Sequence, residues 1–337
     1  MGATMTKKGT ANGSFFGNFL YEQILSQRPH FLKDLAQVVD FCFVAEHCKG
    51  FYVDWGRDPW DPVLMFKMVL LQFLYNLSDR EMEEQAAFNL IYKWFLGLSA
   101  EEAPPDFSSL CRFRARLGAE GFEKLFNQVV EQARNRGFIT DRLHIIDSTH
   151  IRARVDLFRL KKEHKTKGGD DDDHYVDRHS PDPDARFGRK SQKKSFYGYK
   201  AHNVEDADSE FILKVKTTPG NESDGKQLPD LIDGSAEETT GDKAYDSAPN
   251  QAHLAAMGVT SGIIRRQRRP GRPRHSCRER SKIERKFSEA KNRHGLDKAR
   301  YWGLAKVSIQ AFMTAIVLNL KRLVKLTLAS ETVPQPA

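Results

Sequence analysis

From about residue 18 to 136, apolar positions recur every three to four residues, the period of helices that bury one face. Asp61 followed by Pro62 reads as an N-cap and a first helical position opening the run VLMFKMVLLQFLYNL. Ser78 with Glu81 three residues on forms a capping box for a second helix running through Trp94 and Phe95. A third helix, SLCRFRARL, begins at Asp106 or Ser108 and stops at Gly118; a fourth, GFEKLFNQVVEQARNR, stops at Gly137. Trp94, Phe95, Phe113, Phe122 and Phe126 keep helical spacing and are assigned to the core.

At Arg142 the pattern changes. RLHIIDST reads as a buried strand, and YGYKAHNVE and EFILKVKTTPG as two more, joined by the acidic turn Asp206–Ser209. A helix at about 225–232, a short strand ending at Asp242, a helix near 250–257 and a strand in TSGIIRR follow. This order implies a mixed α/β sheet behind an all-α N-terminal domain. The polar stretch 155–195, with Asp170 to Asp173 in a row, reads as a solvated loop insertion. The expected organisation is a disordered start (1–17), a helical domain (18–137), an α/β domain (138–329) and a disordered tail (330–337). Within the α/β domain, 304–326 is apolar but interrupted by Lys306, Gln310, Asn319, Lys321 and Arg322, so it reads as a buried or partner-facing helix, not a membrane span.

Charge sharpens this picture. The 337 residues carry a net charge of +8. Between Arg265 and Arg300 there are 15 Lys and Arg against four acids, a local +11 that exceeds the whole chain's excess. One concentrated basic patch is the footprint of a nucleic-acid binder. Arg265, Arg266, Arg268 and Arg269 head it. Arg112, Arg114 and Arg116 lie on a short helix that resembles the second half of a helix-turn-helix, and are candidate DNA contacts. Four scattered cysteines, Cys42, Cys48, Cys111 and Cys277, show no zinc spacing and fit a reducing, cytoplasmic setting.

The chemistry concentrates in RSKIERKFSEAK, 280–291. At about 100° per residue, Glu284 lies about 40° and Lys291 about 20° round the helix from Arg280, so all three share a stripe. A carboxylate between two cations suits a divalent ion and phosphates together. Asp147, ending an apolar strand, and Asp242, after a short one, supply further carboxylates from distant segments. Asp, Asp and Glu together suggest two-metal phosphoryl transfer.

These blocks resemble a known family, the bacterial insertion-sequence DDE transposases of the IS-five and IS-four kind. DPVLMFKMVLLQFLYNLSDREMEEQAAFNLIYKWFLGL with PDFSSLCRFRARLG resembles their N-terminal helical domain. DSTHIRA and GDKAYDS resemble the blocks around the two catalytic Asp residues, and YGYKAHN with TTPGNESDGKQLPDLI the strands and helix between. Arg280, Glu284 and Lys291 match the Arg-Glu-Lys of the family's Tyr-Arg-Glu-Lys signature; its Tyr falls on Cys277. The resemblance implies an RNase H-like catalytic domain in which Asp147, Asp242 and Glu284 bind two Mg²⁺, for which Mn²⁺ can substitute. It implies cleavage at transposon terminal inverted repeats, strand transfer into double-stranded target DNA, a homodimer in the DNA complex, and a bacterial cytoplasmic, nucleoid-associated setting without membrane. The rival functions are a catalytically inactive DNA-binding regulator derived from a transposase, and an RNase H-like nuclease that cuts without joining.

Overall fold

In a computed structural model of the chain, residues 17, 19, 21–25, 27–51, 59–166, 173–191, 194–265 and 275–331 are described. Arg266, Arg268, Arg269, Asp170 to Asp172 and most of both termini lie outside them. The chain divides into two compact units, Met1–Val129 with Asn319–Ala337, and Val130–Leu318.

The first unit is helical: α1 (Phe31–Val38), α2 (Cys42–Cys48), α3 (Pro62–Leu74), α4 (Asp79–Phe88), α5 (Leu90–Leu96) and the first part of α6 (Phe107–Asn135). Asp61 accepts from the Val63 N–H at 2.8 Å and Pro62 occupies the first turn, as the sequence implies. Helix α3 is apolar almost all round, and ten of its thirteen side chains are buried, so it is the centre on which α2, α4 and α5 pack. The capping box is formed on both sides: Ser78 N–H donates to Glu81 Oε2 at 2.7 Å and Glu81 N–H to Ser78 Oγ at 3.2 Å. The expected single helix through Phe95 is two, because the Asn89 carboxamide accepts from the Ile91 N–H and caps a new start. Gly118 sits inside α6 at φ 62°, outside helical space, and separates the two helices that the sequence placed on either side of it.

The second unit is built on a six-stranded sheet: β1 (Leu143–Arg152), β2 (Arg186–Ser191), β3 (Lys194–Asp206), β4 (Ile212–Pro219), β5 (Glu238–Gly241) and β6 (Thr260–Ser261). The long strand β3 pairs antiparallel with β1 along one edge, and successively with β2 and β4 along the other. On the far side of β1, β5 and then β6 pair parallel. Three antiparallel strands followed by two parallel ones is the RNase H-like order. Gly198 sits where β3 comes closest to β1, and a Cβ there would lie 2.1 Å from the Ile151 carbonyl oxygen.

Short helices fill the crossovers: α9 (Leu228–Leu231) and α10 (Ala248–Ala256) precede β5 and β6, and α11 (His275–His294) follows. The sheet has an apolar cluster on each face. Ile146, Val204, Leu228, Leu231, Tyr245 and Leu254 form one. Leu143, Ile145 and Ala207 meet Ile283 and Phe287 of α11 in the other. On the α11 side lies Glu205, fully buried, both carboxylate oxygens without a hydrogen-bond partner; burial pushes it up to about 8, against the opposing charges of Lys286 and Lys282.

Where it is described, the stretch 155–195 is not the solvated loop expected. It holds α7 (Leu157–Thr166), α8 (Asp173–His179) and β2. Asp182, fully buried, accepts from the Tyr199 hydroxyl and from the Gly303 N–H at 3.0 Å; Asp184 accepts from the Leu304 N–H at 2.7 Å. These two acids seat the start of α12 (Leu304–Glu331). Among the described residues α12 is the one helix long and apolar enough to cross a membrane, and its apolar stretch is mostly buried within the structure. Its residues from Asn319 on group with the helical unit.

Arg114 is a correction. Its guanidinium is buried, donating to Gln72 Oε1 at 3.1 Å and to Asp79 Oδ2 at 2.6 Å. It ties α6 to α3 and α4 and is withdrawn from the set available to DNA. Arg112 and Arg116, one turn apart, are exposed. Removing one partner of a buried pair strands the other charge, so Arg114→Ala should destabilise the protein by about 3 kcal/mol. Chemical denaturation checks this; a loss within experimental error would show that the pair is solvated.

Candidate active site

The pairing of β1 with β5 builds the centre. Ile146 is in register with Gly241, so Asp147 and Asp242 are the next residues on two adjacent parallel strands. Both are then fixed by local hydrogen bonds. Asp147 Oδ1 accepts from the Ser148 N–H at 2.8 Å; Asp242 caps a 3₁₀ turn (Lys243–Tyr245), its Oδ1 accepting from the Ala244 N–H at 2.7 Å. One oxygen of each is used up, and the orientation of the other is set.

Helix α11 supplies the third side. Among the described residues Ile283, Phe287 and Ala290 are its buried apolar positions, which turn the neighbouring stripe toward the edge of the site. Arg280 Nη2 lies 3.5 Å from Asp147 Oδ2 and 3.8 Å from Glu284 Oε1, and its Nε is buried without a hydrogen-bond partner. Glu284 is 62 % exposed, against 17 % for Asp147. Lys291 Nζ reaches His150 Nδ1, three residues beyond Asp147 on β1, at 3.4 Å. The structure therefore brings together Asp147, Asp242 and Arg280, and joins Glu284 to them through the guanidinium. Among the described residues no three Asp, Glu, His or Cys side chains stand close enough together to hold an ion as they are. Arg265 is exposed.

The electrostatics follow from this geometry. Burial pushes Asp147 up to about 6; the Ser148 amide and the Arg280 charge act against the rise, and the nearby Asp242 adds to it. A cluster of hard carboxylate oxygens short of positive charge suits a hard divalent cation. Two buried oxygens beside it have no hydrogen-bond partner: Tyr245 Oη, and Asn203 Oδ1, whose residue faces Asp147 directly across the β1–β3 ladder. The donor set fits such an ion.

Sequence reasoning missed Lys200, His202, Asn203, Asp224 and Tyr245. All lie in blocks that carried the resemblance, but nothing in their spacing gave them a chemical role. The alternation of a strand fixes only which face a residue takes; the observed β1–β3 register is what sets Asn203 opposite Asp147.

Comparison with known proteins bears on the family to which the two regions of the chain belong. Residues 139–320 match the family described as Transposase DDE domain. Residues 19–116 match the family described as Transposase domain (DUF772). A solved structure of a piggyBac transposase synaptic complex with hairpin DNA aligns over 95 % of this chain and 77 % of that one, at 11 % identity and a TM-score of 0.41, a likeness too slight to bear on the site.

A carboxyl whose folded pKa is raised above its ordinary value near ~4 holds its proton longer in the folded than in the unfolded chain. Stability is then greatest below the unfolded pKa and falls as pH rises toward the folded one. With divalent ions removed by chelation, the protein should lose stability from about pH 4 to 8. Asp147→Asn should remove the part ending near 6 and Glu205→Gln the part ending near 8. Thermal melts across pH test this; a profile that Asp147→Asn leaves unchanged would mean that the carboxyl is well solvated.

Proposed function

The chain belongs to the DDE transposase family, and we propose that Asp147, Asp242 and Glu284 are the acids with which it cuts transposon ends and joins them to target DNA. The family acts on DNA through divalent metal ions. The observation that carries the assignment is the β1–β5 register, which sets Asp147 beside Asp242, with Arg280 linking Asp147 to Glu284.

Two Mg²⁺ ions, or Mn²⁺ in their place, would supply the Lewis acidity that activates water or a 3′-hydroxyl and stabilises the leaving oxygen. The chain's own part is positional. Asp147 stands within β1 and Asp242 directly after β5, and each offers one oriented oxygen. Glu284, on an exposed helix face, pivots to complete the set. In the free protein Arg280 neutralises two of the acids; with DNA bound it turns to the phosphate beside the scissile bond, where a fixed cation stabilises charge gained in the transition state. Lys291 holds a neighbouring phosphate, and Arg265 extends the cationic track. In the helical unit, Arg112 and Arg116 contribute to recognition of the terminal inverted repeats. Two DNA ends joined in one reaction call for a homodimer in the DNA complex. The setting for this work is the bacterial cytoplasm, at the nucleoid.

An inactive DNA-binding regulator would have the basic helix without needing two aspartates in register beside it. The experiment uses duplex DNA carrying the sequences that flank the reading frame. Asp147→Asn, Asp242→Asn and Glu284→Gln should each reduce cleavage and joining by at least about a thousandfold in Mg²⁺ or Mn²⁺ while DNA affinity stays within a few-fold. Cleavage that persists in one variant removes that residue from the triad. Cutting without joining by the wild type would make the protein a nuclease. Arg280→Ala should slow cleavage more than it weakens binding, and should lower the dependence of log affinity on log salt by about 0.9; an unchanged slope would leave Arg280 as a partner of the acids alone.

A further inference from the structure

Asp224 opens a 3₁₀ turn (Asp224–Gln227) after β4, outside all three segments that carry the triad. Its Oδ1 accepts from Lys200 Nζ at 2.8 Å and lies 4.0 Å from His202 Nδ1. Lys200 also donates to the Glu222 carbonyl at 2.8 Å. His202 is fully buried, faces Ser148 across the β1–β3 ladder, and spends its other nitrogen on Thr218 Oγ1 at 2.9 Å.

The turn is fastened to the one that follows Asp242. The carboxamide of Asn250, itself buried, donates to the Gly225 carbonyl at 2.8 Å and to the Tyr245 carbonyl at 2.9 Å. No side chain fits between the two turns, since a Cβ on Gly225 would lie 2.5 Å from the Ala244 oxygen. Tyr245 is 1 % exposed and its hydroxyl has no hydrogen-bond partner. The charges of Asp147, Asp224 and Asp242 all bear on that hydroxyl. A surface ion pair between Lys200 and Asp224 would require neither the Asn250 clamp nor a buried Tyr245 hydroxyl without a hydrogen-bond partner.

We propose that Asp224 is a fourth acid of the centre, a positioning residue that, with the Tyr245 hydroxyl, hydrogen-bonds the water shell of a divalent ion carried by Asp147 and Asp242. Lys200 holds the Asp224 carboxylate in place for this. A small hard ion keeps several of its waters when bound by few carboxylates, so groups one layer out have water to hold. Such outer partners commonly change metal affinity by about ten- to a hundredfold. The inference rests on the assignment of Asp147 and Asp242 as ligands.

The test is Mn²⁺ binding to the full-length protein without DNA, read from the electron paramagnetic resonance signal of the free ion. Wild type, Asp242→Asn, Asp224→Asn and Tyr245→Phe are compared, with melting temperatures taken in chelator. Asp242→Asn should abolish most binding. Asp224→Asn and Tyr245→Phe should each weaken it about tenfold, with melting temperatures close to wild type and DNA cleavage restored by raising Mn²⁺. Wild-type Mn²⁺ affinity in Asp224→Asn and Tyr245→Phe, with Asp242→Asn impaired, overturns this inference alone. Wild-type affinity in Asp242→Asn as well overturns the ligand assignment beneath it. If Asp224→Asn does not melt cooperatively, Tyr245→Phe, which deletes a single oxygen, decides: unchanged affinity overturns the proposal.

Discussion

Two aspartates on adjacent parallel strands repel one another, and the rest of the centre is arranged around that repulsion. Pairing β1 with β5 leaves little freedom in the separation of Asp147 and Asp242, and burial denies Asp147 much of the water that would screen it. Each gains a backbone N–H, and Asp147 gains the Arg280 guanidinium, yet Asp147 still sits at about 6. A site that keeps unfavourable charge in its resting form is poised to accept positive charge, because an arriving cation relieves a cost already present.

Helix α11 meets a related problem on its own underside. It brings Lys282 and Lys286 over the sheet, where Glu205 lies fully buried. The oppositely charged groups are neighbours without a direct hydrogen bond to the carboxylate. The helix is therefore seated by Ile283 and Phe287 against Leu143 and Ile145, while its charges act at a distance. Apolar contact fixes where Arg280 and Glu284 stand, and that leaves their polar ends available for chemistry.

Much of this was legible along the chain because it is set by short-range rules. The caps at Asp61 and Ser78, the break at Gly118 and the start of the strand that carries Asp147 each depend on a few consecutive residues, although that strand runs on to Arg152 instead of ending at Asp147. So did the shared stripe of Arg280, Glu284 and Lys291, a matter of helical pitch. What could not be read depended on partners far away in sequence. Arg114 looked like a DNA contact because its neighbours do; only the packing of α6 on α3 brings Gln72 and Asp79 to it. The ordered segment 173–191 is held by Asp182 and Asp184 reaching Gly303 and Leu304, more than a hundred residues on. Asp224 joins the site only through the Asn250 clamp.

The nine-residue ladder from His144 opposite Asp206 to Arg152 opposite Gly198 also bears on how such a gene can change. Side chains on a strand alternate between faces, so one residue inserted or deleted ahead of Asp147 turns it from the α11 side to the opposite core. Point substitutions in LHII can be absorbed by repacking, but a length change cannot, since Asp242 is anchored on the neighbouring strand. The stretch 155–179, ahead of Asp182 and Asp184, lies outside this ladder. Descendants of this sequence should thus vary freely in length there, while the spacing across β1 stays invariant.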